Sequence, residues 1–74
     1  ISTEDELMIK ELKIILKNAI LSLDDKSRFV FIETELKGKS YKQLSQETGE
    51  KLGTLLSRKS RAIKKLEKII IHYM

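Results

Sequence analysis

The sequence contains no cysteine and no proline, and it has only three glycines and one histidine. Without cysteine the chain can form neither a disulfide framework nor a thiolate nucleophile, which is compatible with a reducing cytosol. A single histidine, His72, cannot complete a zinc site or a Ser-His-Asp triad within the chain. The scarcity of proline and glycine favours long helices joined by short turns. We therefore expect an all-α protein that is not an enzyme and needs no metal or cofactor.

Long apolar runs are also missing, because no stretch of about 18 apolar residues is present, and we predict no membrane partner. With 41% hydrophobic and 35% charged residues, the 74-residue chain has the composition of a folded domain. The first residue is Ile rather than Met. We expect residues 1–74 to form a single domain that is a fragment of a longer protein.

Charge is distributed unevenly along the chain. Residues 1–36 hold five Lys or Arg against eight Asp or Glu, whereas residues 37–74 hold ten against three. The resulting net charges of −3 and +7 predict that the C-terminal half binds an anionic partner, with nucleic acid as the first candidate. A solvated basic helix without a partner is the alternative interpretation.

The basic half contains the pattern of a short helix, a tight turn and a longer helix. Ser40 and Gln43 have capping-box spacing, which predicts a helix start, and Gly49 can adopt the left-handed conformation that ends this helix. On a helical wheel the longer helix has an apolar stripe opposite a cationic face. The stripe consists of Leu52, Leu55, Ala62, Leu66 and Ile70, and the cationic face consists of Ser57, Ser60, Arg61, Lys64 and Lys68. The shorter helix would pack against the apolar stripe and is called the bracing helix. An amphipathic helix supported in this way meets the physical requirement for reading the DNA major groove.

A first helix is predicted near the N-terminus from apolar residues at helical spacing. Its core-facing stripe consists of Met8, Leu12, Ile15, Ala19 and Leu23. Leu7, Ile14 and Leu16 widen the apolar surface beyond this stripe. The additional residues serve either deeper burial, which we favour, or a partner protein.

A second helix is predicted over residues 26–37. The pair Asp24-Asp25 can cap its start, and Gly38 can close it. We expect Phe29, Ile32 and Leu36 to face inward, where the aromatic ring fills the core.

Residues 23–66 resemble, without gaps, the fourth domain of RNA polymerase sigma factors, and within them the extracytoplasmic-function (ECF) group. Members read L-P-x3-R…L-x-G-x-S-Y-x-E-I-A…G-T-V-x-S-R-x-x-R-A-x-x-x-L. The matching residues are Leu23, Arg28, Leu36, Gly38, Ser40, Tyr41, Gln43, Leu44, Ser45, Gly53, Thr54, Leu55, Ser57, Arg58, Arg61, Ala62 and Leu66. A helix-turn-helix of the LuxR type would share the bracing helix and the turn. Its second helix would more typically contain T-V-K-x-H in place of Ser57-Arg58 and Arg61-Ala62.

The resemblance implies a four-helix helix-turn-helix domain of the winged-helix-like, sigma region 4 type, without a sheet. It implies a cytoplasmic protein that binds double-stranded promoter DNA at the −35 element and docks on the β-subunit flap of core RNA polymerase. It further implies that Arg28 lies near the DNA backbone or pairs with an acid of the bracing helix. An ordinary surface ion pair is the alternative interpretation of Arg28. We add Lys42, Thr54 and Arg58 to the predicted DNA contacts of the cationic face.

Departures from the family pattern support a second hypothesis, in which Leu56 and Lys59 weaken DNA binding. Leu56 stands where members often carry Lys or Arg, and Lys51 stands where a Ser or Thr helix cap is common. Weak DNA binding would fit a sigma-like module that binds polymerase or an anti-sigma factor. Its partner surface would consist of Leu7, Ile14 and Leu16. A LuxR-type regulator is the third hypothesis.

Lys59 is a further departure, because it lies inside the apolar stripe where the family has Ile or Leu. Its stem is expected to pass the edge of the core so that the ammonium reaches water. We expect Lys59→Ile to raise the melting temperature unless an acid such as Glu47 or Glu50 already pairs with the ammonium.

Overall fold

A computed structural model describes residues 3–72 as four α-helices in sequence. The helices are α1 (Thr3–Leu21), α2 (Asp25–Phe31), α3 (Tyr41–Thr48) and α4 (Leu52–His72). A π-helical turn over Ile32–Leu36 continues α2, and no strand occurs within residues 3–72. The predicted all-α architecture with four helices is confirmed.

The predicted starts of α2 and α3 are also confirmed. The Asp24 carboxylate accepts a hydrogen bond from the Ser27 backbone N–H at 3.1 Å, and this bond lowers the pKa of Asp24. The Ser40 hydroxyl accepts a hydrogen bond from the Gln43 N–H at 3.0 Å. The Gln43 side chain donates to Glu47 at 3.2 Å, so it does not complete the reciprocal half of the predicted capping box. Each helix start therefore depends on a side chain three residues before the N–H that it caps.

Two glycines end helical segments in the left-handed region, as predicted. Gly38 has a φ of 72° after the π-helical turn, and Gly49 has a φ of 76° after α3. A side chain at either φ would be strained, which makes both positions specific to glycine. These two residues set the short joints before α3 and α4.

The core consists of two clusters that both include α4. In one, Ala19 and Leu23 pack against Ala62 and Leu66, so α1 lies along the C-terminal half of α4. In the other, Val30, Leu44 and Leu55 bring α2 and α3 onto the N-terminal half of α4. Within the predicted apolar stripe of α4, Leu55, Ala62 and Leu66 are buried, whereas the end residues Leu52 and Ile70 are exposed. The buried middle of α4 therefore joins the other three helices.

The predicted inner face of α2 is wrong for Phe29 and Leu36, whereas Ile32 is half-buried. Phe29 is 45% exposed and Leu36 is 65% exposed, whereas Ser27, Val30 and Glu33 are buried. The small Ser27 and Val30 side chains face α4, which allows the two helices to approach closely. The π-helical turn has a hydrogen bond from the Lys37 N–H to the Ile32 carbonyl at 3.0 Å, an i→i+5 bond. This wider turn rotates the residues that follow it, so Leu36 leaves the face that a regular helix would have given it.

The predicted stripe of α1 is buried only at its C-terminal end, where Ala19 and Leu23 lie in the core. Met8 and Leu12 are exposed, and so is every other residue from 4 to 14. Ile69, near the end of α4, packs against the cluster that contains Ala19. The exposed first turns of α1 therefore have no helix of residues 3–72 to pack against.

The prediction that the additional apolar residues of α1 are buried is also wrong. Leu7, Ile14 and Leu16 are all exposed, and Ile14 is 58% exposed. Near the C-terminal end of α1, a shallow apolar groove is lined by Leu16, Ile20, Leu21 and Leu36 beside the two lysines Lys13 and Lys17. Leu16 lines this groove, whereas Leu7 and Ile14 lie outside it, and all three leave apolar area exposed for a partner.

Candidate nucleic-acid interface

The turn between α3 and α4 is held by hydrogen bonds within the turn itself. The Ser45 hydroxyl donates to the Glu50 carbonyl at 2.6 Å, and the Thr48 hydroxyl accepts from the Glu50 N–H at 3.2 Å. The Lys51 carbonyl accepts the first helical hydrogen bond of α4, from the Leu55 N–H at 3.1 Å. These bonds give α3 and α4 the fixed connection that a helix-turn-helix requires.

The exposed face of α4 carries hydrogen-bond donors and positive charge. Its residues are Ser57, Ser60, Arg61, Lys64 and Lys68, and all five are exposed. They lie on the opposite side of the helix from the buried Leu55, Ala62 and Leu66. Four of them, together with Leu56, line one shallow concavity, and Lys68 lies one turn beyond it. The structure therefore brings these predicted site residues onto a single surface.

Hydroxyl and guanidinium groups on this face of α4 can bind both the base edges and the phosphates of a DNA duplex. Serine hydroxyls donate to or accept from base edges, and Arg binds guanine bidentately or pairs with phosphate. Lys64 and Lys68 carry ammonium groups, which can neutralise phosphates without reading sequence. The groups needed for orientation and for base recognition are both present on α4.

The other predicted contacts are placed differently. Lys42 is exposed in the first turn of α3, and Thr54 is half-buried in the first turn of α4. Arg58 is half-buried, and its guanidinium lies 3.6 Å from the Glu50 carboxylate. These three residues do not line the concavity of α4.

Arg28 is engaged within the protein. Its guanidinium donates to the carbonyls of Leu21 and Leu23 at 3.0 and 3.4 Å and pairs with Asp25. The acid is thus on its own helix, not on the bracing helix that the resemblance suggested. By binding the last carbonyl of α1 and the Leu23 carbonyl in the joint that follows, Arg28 fixes the connection between α1 and α2.

Ion pairs anchor α3 to the segment before it. Lys39 Nζ lies 2.6 Å from the Glu47 carboxylate and 3.4 Å from that of the buried Glu33, and the pKa of Lys39 is raised chiefly by Glu47. Lys37 Nζ lies 3.0 Å from Glu33 and lowers the pKa of that carboxyl. The bracing helix is therefore held at its outer side by charge and at its inner side by Leu44.

Lys59 is the polar group at the centre of the helix-turn-helix, and it is only 7% exposed. Its ammonium donates to the Glu35 carboxylate at 2.6 Å, to the Thr34 hydroxyl at 3.0 Å and to the Tyr41 hydroxyl at 3.3 Å. The expectation that the ammonium reaches water is wrong, because these three acceptors replace the water. Lys59 thereby joins α4 to the π-helical turn and to α3.

The acid that pairs with Lys59 was not among those anticipated. Glu47 pairs with Lys39 and Glu50 pairs with Arg58, whereas Glu35 binds Lys59. Burial lowers the pKa of Lys59, but the hydrogen bonds to Glu35 and Tyr41 outweigh it and raise the pKa above 10.5. Because the folded pKa is raised, the stabilisation by Lys59 is present at neutral pH and is lost only as pH rises through that folded pKa.

We now expect replacement of Lys59 to destabilise the protein. Lys59→Met keeps an unbranched apolar stem and removes the ammonium and its three hydrogen bonds, which costs about 1–3 kcal/mol. Thermal unfolding followed by circular dichroism measures this effect. Lys68→Met, the same change at an exposed position of α4, is the control and is expected to be nearly neutral. A melting temperature of Lys59→Met above that of the parent protein would show that desolvation of the ammonium dominates.

Two other kinds of feature, a metal-binding cluster and a membrane-spanning helix, are not found among the described residues. Within residues 3–72, no three His, Asp or Glu side chains are grouped to hold a metal ion. None of the helices in this range has both the length and the apolarity that a bilayer span requires. The concavity of α4, lined by Ser57, Ser60, Arg61 and Lys64, is the candidate nucleic-acid site.

Comparison with known proteins gives one family. Neither a curated protein nor a solved structure matches the chain significantly. The family model described as Sigma-70, region 4 matches residues 13–66, which is more than half of the 74-residue chain. The match includes α2, α3, the turn after α3 and all five residues of the α4 concavity. The chain therefore belongs to the sigma-70 region 4 family and is a sigma-factor DNA-binding module of helix-turn-helix type.

Proposed function

We propose that this chain recognises the −35 element of promoters as the fourth domain of an ECF-group sigma factor in the cytoplasm. In this proposal α4 lies in the major groove and α3 braces it, as in other helix-turn-helix proteins. The domain acts within a longer sigma factor bound to core RNA polymerase, and the remainder of that protein opens the promoter.

The observation that carries the proposal is the exposed cationic face of α4. Ser57, Ser60, Arg61 and Lys64 share one concavity, and Lys59 and Leu55 hold the opposite side of the same helix in the protein. These exposed donors lie opposite the buried side of α4, where the helix does not pack against the rest of the described protein. The charge of +7 over residues 37–74 adds an attraction for phosphate.

Among the other predicted contacts, Lys42 is available for phosphate because it is exposed at the start of α3. Thr54 lies in the first turn of α4, near the end that enters the groove. For Arg58 and Arg28 to contact DNA, their bonds to Glu50 and to the α1 carbonyls would have to be exchanged for phosphate. We therefore assign these two arginines mainly to positioning the helices.

Selection of bound duplexes from a random DNA pool tests the proposal. The selection is carried out with the chain alone and with the chain plus core RNA polymerase. We expect enrichment of one short motif, and we expect its affinity to fall as salt rises because phosphate contacts release counterions. A pool that shows no enriched motif under either condition would contradict the proposed −35 recognition.

The exposed apolar surface of α1 supports a second function, binding of a protein partner. Leu7, Ile14 and Leu16 are exposed on a helix whose end lies beside an apolar groove. Residues 1–36 have a net charge of −3, which disfavours a DNA contact on this side. We propose that this surface docks on the β-subunit flap of core polymerase, with an anti-sigma factor as a second candidate partner. A LuxR-type regulator has no supporting observation in this structure.

Ile14→Glu tests the partner surface. Because Ile14 is exposed, the change is expected to alter the unfolding free energy by less than about 0.5 kcal/mol and to leave DNA affinity unchanged. Binding to core polymerase in a pull-down is expected to be lost, since a carboxylate would be desolvated in an apolar contact.

Asn18→Glu is the matched control, because it adds the same charge at an exposed position of α1. We expect it to retain polymerase binding. If both variants bind polymerase as well as the parent chain does, the partner surface lies elsewhere. If Ile14→Glu unfolds the protein, Ile14 belongs to the core.

A further inference from the structure

Leu56 is an apolar side chain on the surface that otherwise carries donors and charge. It lies in the second turn of α4 and is 50% exposed, whereas the adjacent Leu55 is buried in the core. Leu56 lines the same concavity as Ser57, Ser60 and Arg61. It is not part of either buried core cluster, so its role is not explained by the packing of residues 3–72.

The major groove presents one apolar group at the base edges, the C5-methyl of thymine. The other groups exposed there are hydrogen-bond donors and acceptors, which an isobutyl side chain cannot satisfy. Contact between Leu56 and a thymine methyl removes apolar surface of both partners from water. Any other base opposite Leu56 would lose hydration without gaining a matching contact.

We propose that Leu56 is a specificity-determining residue that contacts the methyl group of one thymine in the bound duplex. This inference rests on the proposed function, because it needs α4 to lie in the major groove. Leu56 thereby selects a thymine at one position, while Ser57, Ser60 and Arg61 contact neighbouring bases or phosphates. The family often carries a cation at this position. In this chain Leu56 gives up the attraction of that cation for phosphate and instead contacts a base.

Other exposed apolar residues of α4 do not fit this role equally well. Leu52 and Ile63 are exposed, but neither lines the concavity that holds the donors. Leu52 is the first residue of α4 and provides the same side chain outside the concavity. It is therefore the matched control for Leu56.

Replacement of thymine by deoxyuridine tests the inference, because it removes only the methyl group. The test uses the duplex obtained by random-pool selection, with each thymine replaced in turn. For the parent chain we expect one position at which the affinity falls about fourfold, the typical effect of one buried methyl group. In Leu56→Ala the affinities for the thymine and deoxyuridine duplexes at that position are expected to be equal, whereas Leu52→Ala is expected to keep the difference.

The outcomes separate this inference from the proposed function. If no duplex is bound, the proposed function fails and the inference fails with it. If a duplex is bound but no deoxyuridine replacement weakens it, the inference is overturned and the proposed function stands. The inference is also overturned if Leu56→Ala retains the dependence on the methyl group. Melting temperatures of both alanine variants, each altered at an exposed side chain, show whether they remain folded.

Discussion

Leu44→Ala is expected to remove most of the stability of this protein. Leu44 is fully buried between Val30 and Leu55, so truncation leaves a cavity where α2, α3 and α4 meet. A buried Leu→Ala change costs about 2–5 kcal/mol, and the core of a domain this small supplies only about 3–5 kcal/mol. In urea unfolding followed by far-UV circular dichroism, we expect the transition midpoint to fall to near zero denaturant.

Leu36→Ala is the control for this prediction. The chemical change is identical, but Leu36 is exposed at the end of the π-helical turn, so we expect a loss of no more than about 0.5 kcal/mol. The pair of variants also tests the face of α2 that packs inward. A loss at Leu36 as large as that at Leu44 would mean that Leu36 lies in the core, as the sequence pattern had predicted.

Arg61→Ala is expected to have the largest effect on DNA binding. Arg61 is exposed in the concavity of α4, where its guanidinium can bind a guanine or a phosphate through two parallel hydrogen bonds. Loss of such a pair costs about 1–3 kcal/mol, or roughly 5- to 150-fold in affinity. Fluorescence anisotropy with the selected duplex measures the change, and folding is checked by circular dichroism.

Two lysine variants separate base recognition from general charge. Lys64→Ala is expected to weaken binding almost uniformly across sequences and to lower the log-log salt slope by about 1, because the contact proposed for Lys64 is with a phosphate. Lys10→Ala removes one charge from α1 and should leave affinity and slope unchanged. Unaltered binding by both Arg61→Ala and Lys64→Ala would exclude this face of α4 from the DNA contact.

Features that depend on residues within one helical turn could be predicted from the sequence. The caps by Asp24 and Ser40 and the left-handed Gly49 were predicted correctly, because each involves a side chain and a backbone group a few residues apart. The two opposite faces of α4 were predicted for the same reason, since a regular helix fixes the angular position of every side chain. The candidate DNA-binding face therefore followed from the sequence alone.

The inner face of α2 required the tertiary structure. Helical spacing made Phe29 and Leu36 equivalent, but the π-helical turn changes the angle between successive residues. Close packing against α4 also selected the small Ser27 and Val30 over the larger Phe29. A wheel that assumes uniform spacing cannot include either effect.

Four helices, the turn before α4 and the cationic face of α4 follow from the sequence, because local spacing and capping encode them. The pairing of Glu35 with Lys59 could not be predicted in this way, since the two residues are 24 positions apart and meet where α4 crosses the π-helical turn. The exposure of Ile14 could not be predicted either, because burial depends on how far a neighbouring helix extends and not on the apolarity of α1. The sequence shows that Leu56 replaces a cation common in the family. Its position beside the donor side chains of α4 depends on the tertiary structure.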